Sequence, residues 1–159
     1  MEREPSSRAH TSQAASRQSG GGLSGIRVVD LGRYIAAPLC AAMLADQGAD
    51  VIRVEDPQGA SDRDVMPLGI DGRGSLYMQV NRNKKSLTLD FTKPAGREIL
   101  ERLIATSDVV VINLPYKSLN KLGLTYEHLE QLRSDIILTT ISAFDYSGNN
   151  RNRVGFDGM

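Results

Sequence analysis

The chain has 159 residues, no tryptophan, and 19 basic against 19 acidic side chains. This composition is that of one ordinary soluble domain, and a formal net charge of zero gives no electrostatic reason to expect binding to nucleic acid or to an anionic membrane surface. The single cysteine, Cys40, excludes an internal disulfide, and the two histidines, His10 and His128, lie too far apart to suggest a metal site.

The first 22 residues are rich in Ser, Gln, Arg, Ala and Gly, and we predict that they form a disordered tail because they carry too little apolar surface to fold. They lack the apolar segment of a secretory signal, and no run in the chain is apolar enough to cross a bilayer. We therefore expect a cytoplasmic protein with a single domain over residues 23–159.

The domain opens with an alternation of short apolar runs and one amphipathic segment. Ile26–Asp30 and Val51–Glu55 are predicted strands, and between them Pro38–Gln47 is a predicted helix with a proline in its first turn and Gly48 at its end. The stretch Asp56–Ser75, rich in Gly, Asp and Pro, is predicted to be a long loop.

The second half repeats the alternation. Leu76–Val80 is compatible with either a helix or a strand. The remaining predicted elements, in chain order, are strand Ser86–Asp90, helix Pro94–Thr106, strand Asp108–Asn113, short helices Tyr116–Lys121 and Tyr126–Arg133, and strand Ile136–Ser142.

Strands separated by helices predict an α/β fold, a Rossmann-like parallel sheet with helices on both faces. Ligands of such sheets lie at the carboxyl ends of the strands. The segments 32–36, 55–57 and 113–116 are therefore the candidate ligand-binding turns.

The first of these turns argues against a dinucleotide-binding site. Between Asp30 and Pro38 it has one glycine, Gly32, where a dinucleotide fold has three. The bulky Arg33-Tyr34 pair stands where the backbone would have to approach the pyrophosphate.

The basic loop Arg82–Lys85 has two interpretations. It precedes a strand and so lies at the amino end, where short charge clusters are usually solvated turns. A long ligand such as coenzyme A (CoA), with a phosphorylated adenosine at one end and a thiol at the other, could still reach it.

Two residues of the candidate turns also have two interpretations. Arg33 is either a ligand contact or a surface residue. Asn113 is either a binding group or a cap of the turn that follows it.

Several segments, in order, resemble one known family. They are Leu23–Leu31, Ala37–Cys40, Leu44–Glu55, Asn81–Asp90, Leu122–Glu127 and Gly155–Asp157. The chain resembles the N-terminal part of the family III CoA-transferases, which include formyl-CoA transferase and the carnitine CoA-transferase and have the methylacyl-CoA racemases as relatives.

This resemblance implies an incomplete large domain that binds CoA, within an interlocked homodimer of longer chains. It implies transfer of CoA from an acyl-CoA to a carboxylic acid through aspartyl anhydride and aspartyl thioester intermediates, with the CoA thioester as substrate and no other cofactor or metal. The catalytic aspartate is expected beyond Met159, since Asp157 matches the motif that precedes it. A non-catalytic CoA-binding or interaction fragment is the alternative, and a racemase is disfavoured because Phe156 stands where racemases carry a histidine base.

The resemblance also assigns CoA-binding residues. They are Arg33, Ile35, Ala36, Lys84, Lys85, Asn113, Leu114 and Lys121. Two positions depart from the family pattern: Leu114 replaces an aromatic residue, and Asp56 stands where some members have a phosphate-binding arginine.

Overall fold

The computed structural model describes residues 21–66, 74–153 and 155. Within these ranges the chain forms one parallel sheet with the strand order β3-β2-β1-β4-β5. The strands are β1 (Arg27–Asp30), β2 (Asp50–Glu55), β3 (Lys85–Thr88), β4 (Val109–Ile112) and β5 (Ile137–Thr140). The predicted α/β, Rossmann-like architecture is confirmed.

Helices cover both faces of the sheet. They are α1 (Ala36–Asp46), α2 (Ser75–Val80), α3 (Pro94–Ile104), α4 (Tyr116–Lys121) and α5 (Tyr126–Leu132), with a 3-10 turn at Ser61–Asp64. The ambiguous segment near Leu76 is thus helical, and α1 begins two residues before the predicted start at Pro38. The predicted tail lies outside the described residues apart from Gly21 and Gly22, as does part of the predicted long loop.

Alanines bring α1 close to the sheet. Ala37, Ala41 and Ala45 recur at helical spacing and are buried against Val28 and Val51. Because an alanine side chain is one methyl group, the helix backbone lies close to the strands. The helix ends at Asp46, and Gly48, two residues further on, has a φ of 99° that favours glycine.

Larger side chains fill the opposite face. Leu100 and Ile104 of α3 are fully buried against Val29 and Val110. The interior strand β4 is a continuous Val/Ile run that packs on both faces, as expected for a parallel strand covered by helices. The edge strand β5 is more open, and Ile137 is 59% exposed.

The turn between β1 and α1 has no room for a side chain at Gly32. A Cβ there would lie 2.5 Å from the Cβ of Ala37, 2.7 Å from Cδ of Pro38 and 2.8 Å from Oδ1 of Asp30. The glycine lets the first turn of α1 lie directly against the end of β1.

We expect Gly32→Ala to lower the free energy of unfolding by about 1–3 kcal/mol, because these three neighbours must move. Urea unfolding measures the change. Gly22→Ala is the matched control, since a Cβ at Gly22 meets nothing within 4 Å. Equal unfolding midpoints for the two variants would contradict the close packing described for this turn.

Candidate functional site

The carboxyl edge of the sheet divides at β1. Strand β1 pairs with β2 on one side and with β4 on the other, and the chain crosses from the β3 side to β4. The turns after β1 and β4 therefore diverge and leave a crevice, which is where parallel sheets of this type bind ligands.

Asn113 joins the two diverging turns. Its side-chain oxygen accepts a hydrogen bond from the Arg33 backbone N–H at 2.7 Å, and its side-chain amide donates to the Arg33 carbonyl oxygen at 2.8 Å. These paired bonds fix the backbone of the turn after β1. Asn113 thus contacts predicted site residue Arg33 directly, and its amide is used to position that turn.

The segment Arg33–Ala36 is exposed along its whole length at the start of α1. Tyr34 has a φ of 59°, a left-handed conformation that costs a residue other than glycine about 1 kcal/mol. Ile35, which precedes the helix, is 38% exposed. Arg33 lines the crevice, and Ile35 and Ala36 are exposed beside it on the same turn.

Three clefts that share lining residues lie side by side along this edge, and together we call them the carboxyl-edge groove. The first cleft, of about 190 Å³, separates the turn after β1 from the loop after β2. The second, of about 300 Å³, separates the turns after β1 and β4. The third, of about 660 Å³, lies between the turn after β3 and α4. Arg33 and Leu114 line the first two, Phe91 lines the first and third, and Ser118 and Leu122 line the last two. The shared residues place the three clefts next to one another along the edge.

Leu114 forms part of the apolar floor of the groove. It is 8% exposed, packs into the core against the α3 face, and its carbonyl oxygen accepts a hydrogen bond from the Tyr146 hydroxyl at 3.2 Å. It offers apolar contact at the position where the family pattern has an aromatic ring.

The largest cleft is basic. Lys121, exposed in the last turn of α4, lines it together with Lys93 and Arg97 of the β3–α3 region. Arg97 is held in place by bonds from its guanidinium to the carbonyl oxygen of Gly123 at 3.0 Å and to Glu101 at 2.7 Å. Lys93 pairs with Asp90 at 3.2 Å. Three cations therefore lie around one opening at the end of the groove, and two of them have a carboxylate beside them.

The sequence analysis missed Phe91, Lys93 and Arg97 as site residues. A signal for them existed, because they follow the carboxyl end of β3 and ligands of parallel sheets lie beside such ends. The sequence analysis instead assigned CoA binding to Lys84 and Lys85, in the basic loop that precedes the same strand.

Lys84 does not face the groove. Its side chain is 1% exposed, and its amine donates to Asp30 at 2.7 Å, to the Pro38 carbonyl oxygen at 2.7 Å and to Asn81 at 2.9 Å. These three acceptors use the three hydrogens of an ammonium group. In this structure Lys84 joins α1 to the end of β1.

Lys85 points to the opposite face of the sheet, as the next residue of a strand must. Its side chain is 70% exposed and pairs with Asp50, at the amino end of β2, at 2.5 Å. The preceding Arg82 and Asn83 bond Asp46 at the end of α1. The structure separates Lys84 and Lys85 from the other predicted site residues, and their contact with CoA stays a prediction.

A set of charged side chains, all buried except the partly exposed Arg63, lies beneath the start of α1, and we call it the buried ion cluster. Its members are Asp30, Arg53, Glu55, Asp62, Arg63 and Lys84. The three carboxylates and three cations balance, as buried charges must if their desolvation is to be offset. Tyr77 donates its hydroxyl to Glu55 at 2.7 Å and completes the set.

The cluster shifts the pKa values of Glu55, Tyr77 and Lys84. Burial alone would raise the pKa of Glu55, but hydrogen bonds from Arg63, Tyr77 and the Ala60 N–H bring it below its ordinary value. Burial, together with the hydrogen bond to Glu55, raises the pKa of Tyr77 to about 12. Burial lowers the pKa of Lys84 although Asp30 opposes that shift.

Within the ranges that the structure covers, no group of three or more His, Cys, Asp or Glu side chains is arranged to hold a metal ion. In the same ranges, no helix has both the length and the apolar character needed to span a membrane. Asp157 and Phe156, which the sequence analysis considered, lie outside the described residues.

Comparison with known proteins identifies the family of this fold and groove. The sequence model of CoA-transferase family III matches residues 23–159, and the chain belongs to this family. It is 39% identical over 142 residues to a succinate–glutarate CoA-transferase of Agrobacterium fabrum, an alignment that covers 85% of this chain and 36% of that protein. It is 35% identical over 138 residues to the human succinyl-CoA:glutarate CoA-transferase, covering 86% of this chain and 32% of that protein.

Solved structures support the same family assignment. A CAIB/BAIF family protein from Brucella suis superposes with a TM-score of 0.81 at 37% identity, covering 87% of this chain and 38% of that one. A Mycobacterium tuberculosis protein described as hypothetical gives a TM-score of 0.79 at 32% identity, with 87% of this chain and 38% of that chain covered. The chain thus spans about a third of the length of the relatives it matches.

The contrast between the two adjacent lysines is testable. We expect Lys84→Met to lower the free energy of unfolding by about 3 kcal/mol, because it leaves buried Asp30 without its nearest cation. Lys85→Met removes an exposed pair and should cost less than about 1 kcal/mol. Urea unfolding of both variants decides, and a larger loss for Lys85→Met would contradict the burial assigned to Lys84.

Glu55 makes the stability of the folded chain depend on pH. Its pKa in the folded chain lies below the ordinary 4.5, so ionised Glu55 stabilises the fold above that pH, and the contribution is lost as pH falls through the folded-state pKa. We expect unfolding midpoints to fall between about pH 5 and pH 3, and to fall less steeply in Glu55→Gln. Glu98→Gln, which alters an exposed carboxylate of α3, is the control and should keep the wild-type slope. An unchanged slope in Glu55→Gln would refute this assignment.

Proposed function

We propose that this chain is the CoA-binding N-terminal part of an enzyme that moves CoA from an acyl-CoA to a carboxylic acid. The observation that carries the proposal is the carboxyl-edge groove, long and basic at one end, in a chain that belongs to CoA-transferase family III. Relatives named for succinyl-CoA and glutarate favour a dicarboxylic acid as acceptor.

The basic cleft suits the nucleotide end of CoA. Lys93, Arg97 and Lys121 line it, and a charge-assisted hydrogen bond to a phosphate contributes about 1.5–3 kcal/mol. Phe91 lies at the boundary of this cleft and the next, where its ring offers an apolar contact to the adenine or the pantetheine arm. The clefts together would bury an extended ligand from one end to the other.

The other end of the groove suits the thioester. Arg33 lines the groove there, and Asn113 holds its backbone by two hydrogen bonds. Ile35 and Ala36 are exposed on the same turn. A turn fixed before the ligand arrives loses less conformational entropy on binding. Arg33 supplies a cation for a carboxylate or thioester oxygen at this point.

The proposed chemistry needs a carboxylate nucleophile that we place beyond Met159. An aspartate oxygen attacks the acyl-CoA carbonyl, the CoA thiolate leaves, and a mixed anhydride forms. The thiolate then attacks the aspartyl carbonyl, which releases the first acid and gives an aspartyl thioester. The acceptor carboxylate attacks that thioester to form a second anhydride, and the released thiolate attacks the acceptor carbonyl to complete the transfer.

In this proposal the whole enzyme is an interlocked homodimer of longer chains located in the cytoplasm. A second candidate function is a CoA-binding or interaction module without catalysis. The basic cleft is the observation that favours it, since binding of a ligand by Lys93, Arg97 and Lys121 needs no nucleophile.

Calorimetric titration with CoA tests the proposal. We expect the chain to bind CoA and Lys121→Met to raise the dissociation constant about tenfold, which corresponds to the loss of about 1.4 kcal/mol from one phosphate contact. Lys117→Met is the matched control: Lys117 is exposed on the same helix but does not line the groove, so its removal should leave the affinity unchanged.

Failure of the chain to bind CoA, or equal effects of the two lysine variants, would overturn the proposed site. NADH in place of CoA should give no heat of binding. A thioester exchange assay on the same sample separates the two functions, because turnover by this chain alone would contradict a nucleophile beyond Met159.

A further inference from the structure

One cation lies behind the carboxyl-edge groove without taking part in its basic end. Arg53 of β2 has a side chain only 2% exposed, yet it lies at the back of the cleft between the turn after β1 and the loop after β2. Its Nη2 donates to both carboxylate oxygens of Asp62, at 2.8 and 3.0 Å. Its Nη1 lies 3.4 Å from Asp30 and its Nε 3.3 Å from Glu55.

Each of these carboxylates is tied to backbone that lines the groove. Asp30 accepts a hydrogen bond from the Gly32 N–H at 2.8 Å, and Glu55 accepts one from the Ala60 N–H at 3.2 Å. Asp62 lies in the 3-10 turn directly after Ala60 and Ser61. Gly32, Ala60 and Ser61 all line the same cleft.

We propose that Arg53 is a positioning residue for the bound ligand: it sets the separation of the two walls of the groove without touching the ligand. The inference rests on the proposed function and extends it to a residue that the sequence analysis did not single out. One planar guanidinium contacts a carboxylate behind each wall, and its rigid geometry fixes the distance between them.

The neighbouring charges make this geometry specific to arginine. A lysine at position 53 would keep the positive charge, but its one nitrogen would replace three guanidinium nitrogens that each face a different carboxylate. The loop after β2 would then lose its two-point attachment through Asp62. Its wall of the groove would move, although the charge balance of the buried ion cluster would be kept.

The test compares Arg53→Lys with Arg27→Lys in the whole chain. Arg27 is the matched control, a β1 arginine paired with Asp50 at 3.4 Å at the amino end of the sheet. We expect Arg53→Lys to weaken CoA binding about tenfold or more, since small displacements of positioned groups have large effects. We expect Arg27→Lys to change CoA binding less than about twofold.

Amide hydrogen exchange gives a second measurement that does not need CoA. In Arg53→Lys the amides of Gly32 and Ala60 should exchange at least about tenfold faster, while that of Val110 in the sheet centre keeps its protection. A role in stability alone would lower protection across the sheet and leave the affinity of the folded fraction unchanged, and that result would overturn the proposal.

Asp62→Asn provides an independent variant and decides the question if Arg53→Lys fails to fold. It removes the partner's charge while keeping its shape, and it should reproduce the loss of CoA affinity and the faster exchange at Ala60. Wild-type affinity in Asp62→Asn refutes the inference. If the wild-type chain itself binds no CoA, the proposed function fails, whereas unchanged exchange at Gly32 and Ala60 would refute the positioning role separately.

Discussion

The contact between Arg53 and its three surrounding carboxylates is the interaction on which the carboxyl edge of the sheet depends. Asp30, Glu55 and Asp62 come from three points of the chain and would repel one another in a buried space without a cation between them. Lys84 adds the link from Asp30 to the first turn of α1. Because the charges balance and, among the described residues, no buried side-chain polar atom lacks a partner, the cluster holds these loops without leaving an unpaired charge.

This arrangement gives the groove one rigid side. Hydrogen bonds to Asp30 and to Asn113 fix the turn after β1. At Gly32 the turn packs directly against the first turn of α1. The opposite end of the groove is built differently, from exposed lysines on α4 and at the start of α3. Buried charges therefore shape one end of the groove, and exposed charges line the other.

Much of the fold could be predicted because its signals are local. Alternating apolar runs and amphipathic segments located all five strands and helices α1, α3, α4 and α5, with errors confined to their ends. The site was harder, as the adjacent Lys84 and Lys85 show. They look equivalent in the sequence, but successive residues of a strand face opposite sides, so one is buried in an ion pair and the other is exposed.

Other parts of the site left a signal that was not used. Arg53 lies two residues after Val51, on the same face of a strand that helices cover on both sides, and a charged residue there requires partners.

Strand β5 has one further consequence. Its outer edge pairs with no other described strand, and Ile137 is 59% exposed beside it. Such an edge is a template on which an additional strand can form backbone hydrogen bonds, so the sheet is able to grow on the β5 side, away from the buried ion cluster.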